Sequence, residues 1–147
     1  LPDFKYSSVK TAKKYSKVEN YPETALSAIV EMHRQKGSSL PLNDSGYAES
    51  GIIVRHLVLP GETGNSINAL RLLAERIGTS FHLSLMSQYY PPFQMPFENL
   101  NRKLYSAEYE KVAAEAEKLG FYKGWIQEPE SCSNYFPDFK AGHPFER

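Results

Sequence analysis

Apolar positions are densest in two runs. Between Gly51 and Gly61 the chain reads GIIVRHLVLPG, where nearly every position is β-branched or Leu. A run apolar on both faces predicts a buried strand of the parallel kind. A second run, SFHLSLMSQYY, predicts another strand, ended by Pro91-Pro92. Between them the period changes. Ile67, Leu70, Leu73 and Ile77 share one face of a helix that Asn65 or Ser66 can cap and Gly78 can close. Upstream, Ala25, Leu26, Ile29, Val30 and His33 fall on one face of a helix from about Pro22 to Lys36, with Asn20 and Glu23 as a cap pair and Gly37 as its end. Downstream, a helix is expected from about Ala107 to Leu119, with Ser106 as cap, Glu108 and Glu110 in its first turn and Gly120 as its stop.

The remaining segments carry weaker patterns. Residues 1–6, LPDFKY, read as the end of a strand, and FYKGWIQ reads as a last short one. Residues 7–20 read as a polar loop rich in Lys, Ser and Tyr, 38–50 as turns, and 93–105 as a loop with aromatic and Pro content. From Glu128 onward the chain reads as an irregular tail, so the organisation expected is one domain over 1–127 followed by a tail over 128–147. Strands alternating with helices long enough for crossovers predict an α/β fold, a three-stranded parallel βαβαβα unit. Three strands are few for a complete sheet, and the pattern looks like half of a barrel or of a doubly wound sheet.

Composition narrows the function classes. The chain has 147 residues with 17 Lys+Arg against 17 Asp+Glu, so no global basic field argues for nucleic acid or an anionic membrane as partner. The local balance is less even: five lysines and no acid lie from Lys5 to Lys17, a solvated loop or a phosphate-binding patch. No apolar run approaches the roughly 18 residues of a membrane span. Cys132 is the one cysteine, which excludes an internal disulfide and fits a reducing, cytoplasmic setting.

Ligands of parallel α/β sheets bind beyond the carboxyl ends of the strands. Three sets of polar residues are expected there. Asp3 and Lys5, two apart, share a face if extended, and can hold a ribose diol and a carboxylate or form a surface ion pair. Arg55 and His56 interrupt an apolar run on opposite faces. A buried guanidinium needs a carboxylate such as Asp3 or an anionic ligand, whereas His56 reads as a core histidine or a ligand. Ser87, Gln88, Tyr89 and Tyr90 close the third strand. His33 and His82 have no partner spacing, and no metal-ligand signature is present. LPGETGNS, Leu59 to Ser66, is a strand-to-helix turn that matches neither the dinucleotide nor the P-loop fingerprint; it is turn and cap chemistry or a phosphate site. FPDFK at 136–140 repeats the letters of the N-terminal segment, but no strand pattern precedes it.

Several of these runs resemble a known family in fixed order. LPDFKY, YSKVENYPETALSAIVEMHRQKG, GIIVRHLVLPG, LSLMSQYYP and LNRKLYSAEYEKVAAEAEKLG are similar to the C-terminal half of a group of radical S-adenosylmethionine proteins akin to the pyruvate formate-lyase activating enzyme. The resemblance covers roughly residues 1–127. It implies the second half of a partial (β/α)6 barrel whose N-terminal half carries a CxxxCxxC loop and a 4Fe–4S cluster. There S-adenosylmethionine is cleaved reductively to methionine and a 5′-deoxyadenosyl radical. It also implies an electron donor such as flavodoxin or ferredoxin, and as partner a glycyl radical enzyme that loses the hydrogen atom. Asp3-Phe4-Lys5 resembles the family's Asp-Leu-Lys strand end, whose Asp and Lys meet S-adenosylmethionine, and Arg55 matches the Arg of its Arg-x-x-Val-x-Pro-Gly strand. Tyr89 stands where the family places a His near the same ligand, with Gln88 beside it; the substitution is a departure. No CxxxCxxC is present, and Cys132 cannot replace it. The chain is therefore expected to be a fragment of a longer enzyme, inactive alone and not a stable holder of either cofactor. The alternative is a non-catalytic α/β module that docks a partner through its sheet edge.

Overall fold

A computed structural model describes residues 1–91 and 93–127. The tail over 128–147, with Cys132 and the FPDFK stretch, lies outside these residues. The fold is α/β. Its elements in chain order are α1 (Val9–Ser16), α2 (Tyr21–Lys36), β1 (Ile53–Leu57), α3 (Thr63–Ile77), β2 (His82–Met86), a single 3-10 turn (Glu98–Asn101), α4 (Ser106–Leu119) and β3 (Gly124–Ile126). The three strands form one parallel sheet in the order β1-β2-β3. The strand expected over residues 1–6 is reduced to a single parallel bridge, Asp3 to Arg55, on the free side of β1. The short strand expected last is the sheet's third member.

Strands and helices meet in one core. Phe4, Val54, Val58, Phe81, Leu83 and Leu85 pack against Leu26 and Ile29 of α2, Leu70 and Leu73 of α3, and Tyr109 and Val112 of α4. Burying side chains of this size contributes about 1.5–3 kcal/mol each before entropy is counted. Phe81 also meets Phe121 edge-on at 5.5 Å. β3 starts where its backbone lies against the Leu83 carbonyl, and Gly124 (φ 125°) is there because a Cβ would overlap that oxygen.

Four local expectations are corrected. Residues 9–16 are helical, not loop: the Ser8 hydroxyl accepts from Thr11 N–H at 3.1 Å, Ala12 is buried, and Lys13 and Lys14 lie in the last turn, where cations suit the helix dipole. Asn20 makes no capping bond. α3 starts three residues ahead of Ser66, with Glu62 at the cap position, so Asn65 and Ser66 sit inside its first turn and are buried. Ser106 is the first residue of α4 and Tyr105 precedes it; the Glu108 carboxylate reaches back to Tyr105 N–H at 3.0 Å.

The sheet is also not buried on both faces. Along 52–60 every even residue is buried and every odd one is half-buried; along 81–87 Phe81, Leu83, Leu85 and Ser87 are buried while His82, Ser84 and Met86 are half-buried. All the helix contacts of the core fall on one face. The other carries Ile53, Arg55, Leu57, His82, Ser84, Met86 and Trp125 in register, a mixture of apolar and polar side chains that no helix covers among the described residues.

Candidate functional site

Arg55 lies at the centre of β1 on that uncovered face, because the pleat sends alternate residues to opposite sides. The bridge to residues 2–4 brings Asp3 beside it. Arg55 Nε donates to Asp3 Oδ1 at 2.6 Å, and Lys5 Nζ stands 3.6 Å from Asp3 Oδ2. The side chains are 27% (Asp3), 43% (Arg55) and 55% (Lys5) exposed. Arg55 is therefore not the buried guanidinium its apolar neighbours suggest: uncovered on one side, it is half in solvent and paired. Its two terminal nitrogens make no hydrogen bond among the described residues.

The segment that presents Asp3 and Lys5 is fixed by side chains from three elements. The Tyr21 hydroxyl of α2 donates to Asp3 C=O at 3.0 Å and accepts from Lys5 N–H at 2.8 Å. In α3, Asn65 Nδ2 donates to Lys5 C=O at 2.9 Å, and Asn65 Oδ1 accepts from Ser7 N–H at 2.8 Å. From β1, His56 Nδ1 lies 2.6 Å from Phe4 C=O. A carbonyl can only accept, so His56 is the Nδ1–H tautomer. It is fully buried, and burial lowers its pKa despite the Phe4 carbonyl and the Asp3 charge, which raise it. It is a core histidine that anchors backbone, and Nε2 has no partner among the described residues.

A titration prediction follows. The folded state holds His56 neutral, while the unfolded chain protonates it near 6.5. The unfolded state then binds more protons, so His56 lowers stability as pH falls below 6.5 and has no effect above it. The slope is at most about 1.4 kcal/mol per pH unit. Urea melts at pH 7.5 and 5.5 should show this loss, and His56→Asn, which retains a donor for Phe4 C=O, should show a smaller one.

Gln88 and Tyr89 do not join this cluster. Gln88 is exposed, and Tyr89 donates to Leu100 C=O at 2.8 Å; burial raises its pKa. Tyr89 instead borders a second network that the sequence does not announce. Tyr15 donates to Glu62 Oε1, Lys14 Nζ is 3.0 Å from the same oxygen, and Asn99 Nδ2 bridges Tyr15 Oη (2.9 Å) and Pro60 C=O (2.6 Å). Tyr15 also meets Phe97 edge-on at 4.9 Å. This network ties α1 and the 3-10 turn to the loop after β1. It leaves LPGETGNS poorly suited to phosphate: Gly61 N–H already donates to Glu108 Oε1 at 2.7 Å, and Glu62 adds a second carboxylate. Lys13 and Lys14 of the lysine run are paired with Glu19 and Glu62.

The described residues contain no group of three His, Cys, Asp or Glu side chains able to hold a metal ion, and no helix among them is long and apolar enough to cross a membrane. No protein-family model, curated protein or solved structure matches the chain.

Proposed function

We propose that this chain is the C-terminal half of a radical S-adenosylmethionine barrel and supplies part of the cofactor's site. One observation carries the proposal: Asp3, Arg55 and Lys5 converge on the uncovered face of a parallel sheet, where two Arg55 nitrogens have no partner among the described residues. In a doubly wound sheet that face packs helices and is apolar. A polar centre among half-buried apolar residues suits a barrel interior that admits a ligand.

The donor set fits the methionine end of S-adenosylmethionine. The Arg55 fork and the Lys5 ammonium match its carboxylate, while the Asp3 carboxylate matches its ammonium or a ribose hydroxyl. Holding those groups from two rigid, paired segments fixes the sulfonium in one geometry. When bound and given one electron by the longer enzyme's cluster, the cofactor would supply methionine and a 5′-deoxyadenosyl radical; these residues would only bind and orient it. The donor set of a 4Fe–4S cluster is absent from the described residues, so no step through a cluster is assigned to them. A glycyl radical enzyme as substrate, and flavodoxin or ferredoxin as donor, belong to the same reading of the longer enzyme.

The longer polypeptide that contains Leu1 provides the test. It should carry CxxxCxxC upstream and, after iron and sulfide reconstitution and reduction, convert S-adenosylmethionine to methionine and 5′-deoxyadenosine. Absence of the cysteine triplet, or intact cofactor in the iron-loaded protein, overturns the proposal. The half-exposed Trp125 and Ile126 on β3 favour the second reading, a module that docks a partner at its sheet edge; it predicts partner capture without iron, lost on Trp125→Ser.

A further inference from the structure

In the bridged segment, residues 2–5, successive residues turn their backbone N–H and C=O groups alternately to an inner and an outer edge. On the inner edge one residue of β1 serves two of them: Arg55 N–H donates to Pro2 C=O at 2.9 Å, and Arg55 C=O accepts from Phe4 N–H at 3.0 Å. One residue bonding to positions i−1 and i+1 of its neighbour is the parallel-ladder pattern. The outer edge repeats it one residue along. There Asp3 C=O and Lys5 N–H are both satisfied by one atom, the Tyr21 hydroxyl, which donates to the first and accepts from the second. A side chain thus makes the pair of bonds that one residue, Arg55, makes on the opposite edge.

We propose that Tyr21 is an edge stop. Its hydroxyl stands in for one residue of a parallel neighbouring strand, and the outer edge of residues 3–5 is the surface where such a strand docks by displacing it. The occupant is a parallel strand for a geometric reason. Asp3 C=O and Lys5 N–H flank one position, as a parallel partner requires; two copies of this chain related by a two-fold axis would meet edge to edge antiparallel. The stop itself stands on the hydrogen bonds alone. The identity of the strand, one from the other half of the barrel, rests on the function proposed above. Until it docks, the tyrosine keeps a bare edge from templating unwanted pairing. Burial raises the Tyr21 pKa, so the hydroxyl stays a donor throughout the neutral range.

Amide hydrogen exchange on wild type and Tyr21→Phe tests both parts. Phe keeps the ring that meets Tyr6 at 5.3 Å, so the variant retains its packing. In the isolated chain, Lys5 N–H should exchange roughly tenfold faster in Y21F, while Phe4 N–H, bonded to Arg55, should not change. In the longer polypeptide the docked strand should protect Lys5 equally in wild type and variant. Equal Lys5 exchange in the two isolated chains removes the stop. A tenfold difference that persists in the longer polypeptide removes the docking. Iron content is read separately: a covered edge in a protein that takes up no iron would keep the edge stop and discard the cofactor site.

Discussion

Replacing Phe4 by Ala should cost about 3–5 kcal/mol of stability, the range for truncating a fully buried aromatic. Phe4 has no exposed surface and sits in the central cluster with Leu26, Val54 and Leu85. A domain's whole stability is about 5–15 kcal/mol, so this one change should remove a large share of it. The effect reaches the candidate site as well. Phe4 is the apolar anchor of a segment that otherwise holds to β1 by one backbone bridge and the polar contacts of Arg55 and His56. Without it, the Asp3–Arg55 contact depends on polar contacts that water can replace. Urea denaturation measures the first effect, and loss of slow exchange at Phe4 and Arg55 amides measures the second. A loss below about 1 kcal/mol would mean that the N-terminal segment is held by its polar contacts alone. Phe4→Leu, which keeps most of the volume, should cost far less than Phe4→Ala.

The sheet and three of the four helices were legible because each carries one strong signal. β1 is dense in β-branched and Leu positions, β2 alternates Leu83 and Leu85 with polar residues, and α2, α3 and α4 show apolar spacing closed by Gly37, Gly78 and Gly120. α1 was not legible. It buries only Ala12 and is otherwise lysine and polar, so its apolar stripe is too thin to register; Ser8 and the contacts of Tyr15 hold it instead. The alternating burial of β1 was hidden for the opposite reason. Ile53 and Leu57 are apolar whether or not a layer covers them, and only Arg55 hinted that one face is open. At the candidate site, the pairing of Asp3 with Arg55 could be anticipated because a guanidinium in an apolar strand needs a carboxylate. Tyr21, Asn65 and His56 could not be assigned as its supports. They bind backbone atoms of residues 3–7, and a bond to backbone leaves no partner residue in the sequence to look for.

If the chain supplies the cofactor site proposed above, Arg55→Met in the longer polypeptide should raise the Kd for S-adenosylmethionine roughly 10- to 100-fold, as loss of hydrogen bonds from a charged group to a carboxylate implies. Arg55→Lys should recover only part of it, because an ammonium cannot reproduce the two-nitrogen fork. The competing account is a structural ion pair, and stability separates the two. Asp3 and Arg55 are both partly exposed and screened, so breaking their contact should change the urea midpoint by under about 1 kcal/mol. Met keeps the stem that packs along the sheet. A structural pair predicts the reverse pattern, a stability loss with unchanged affinity. Asp3→Asn sharpens the comparison. On the function proposed above it should also weaken binding, since Asp3 pairs with Arg55 and would face the cofactor's ammonium or ribose. The double variant should lose less than the sum of the two single losses, because groups 2.6 Å apart act on the same ligand atoms as one unit. Additive losses would mean that Asp3 and Arg55 meet the cofactor separately, and the ion pair between them would then have no part in setting its geometry.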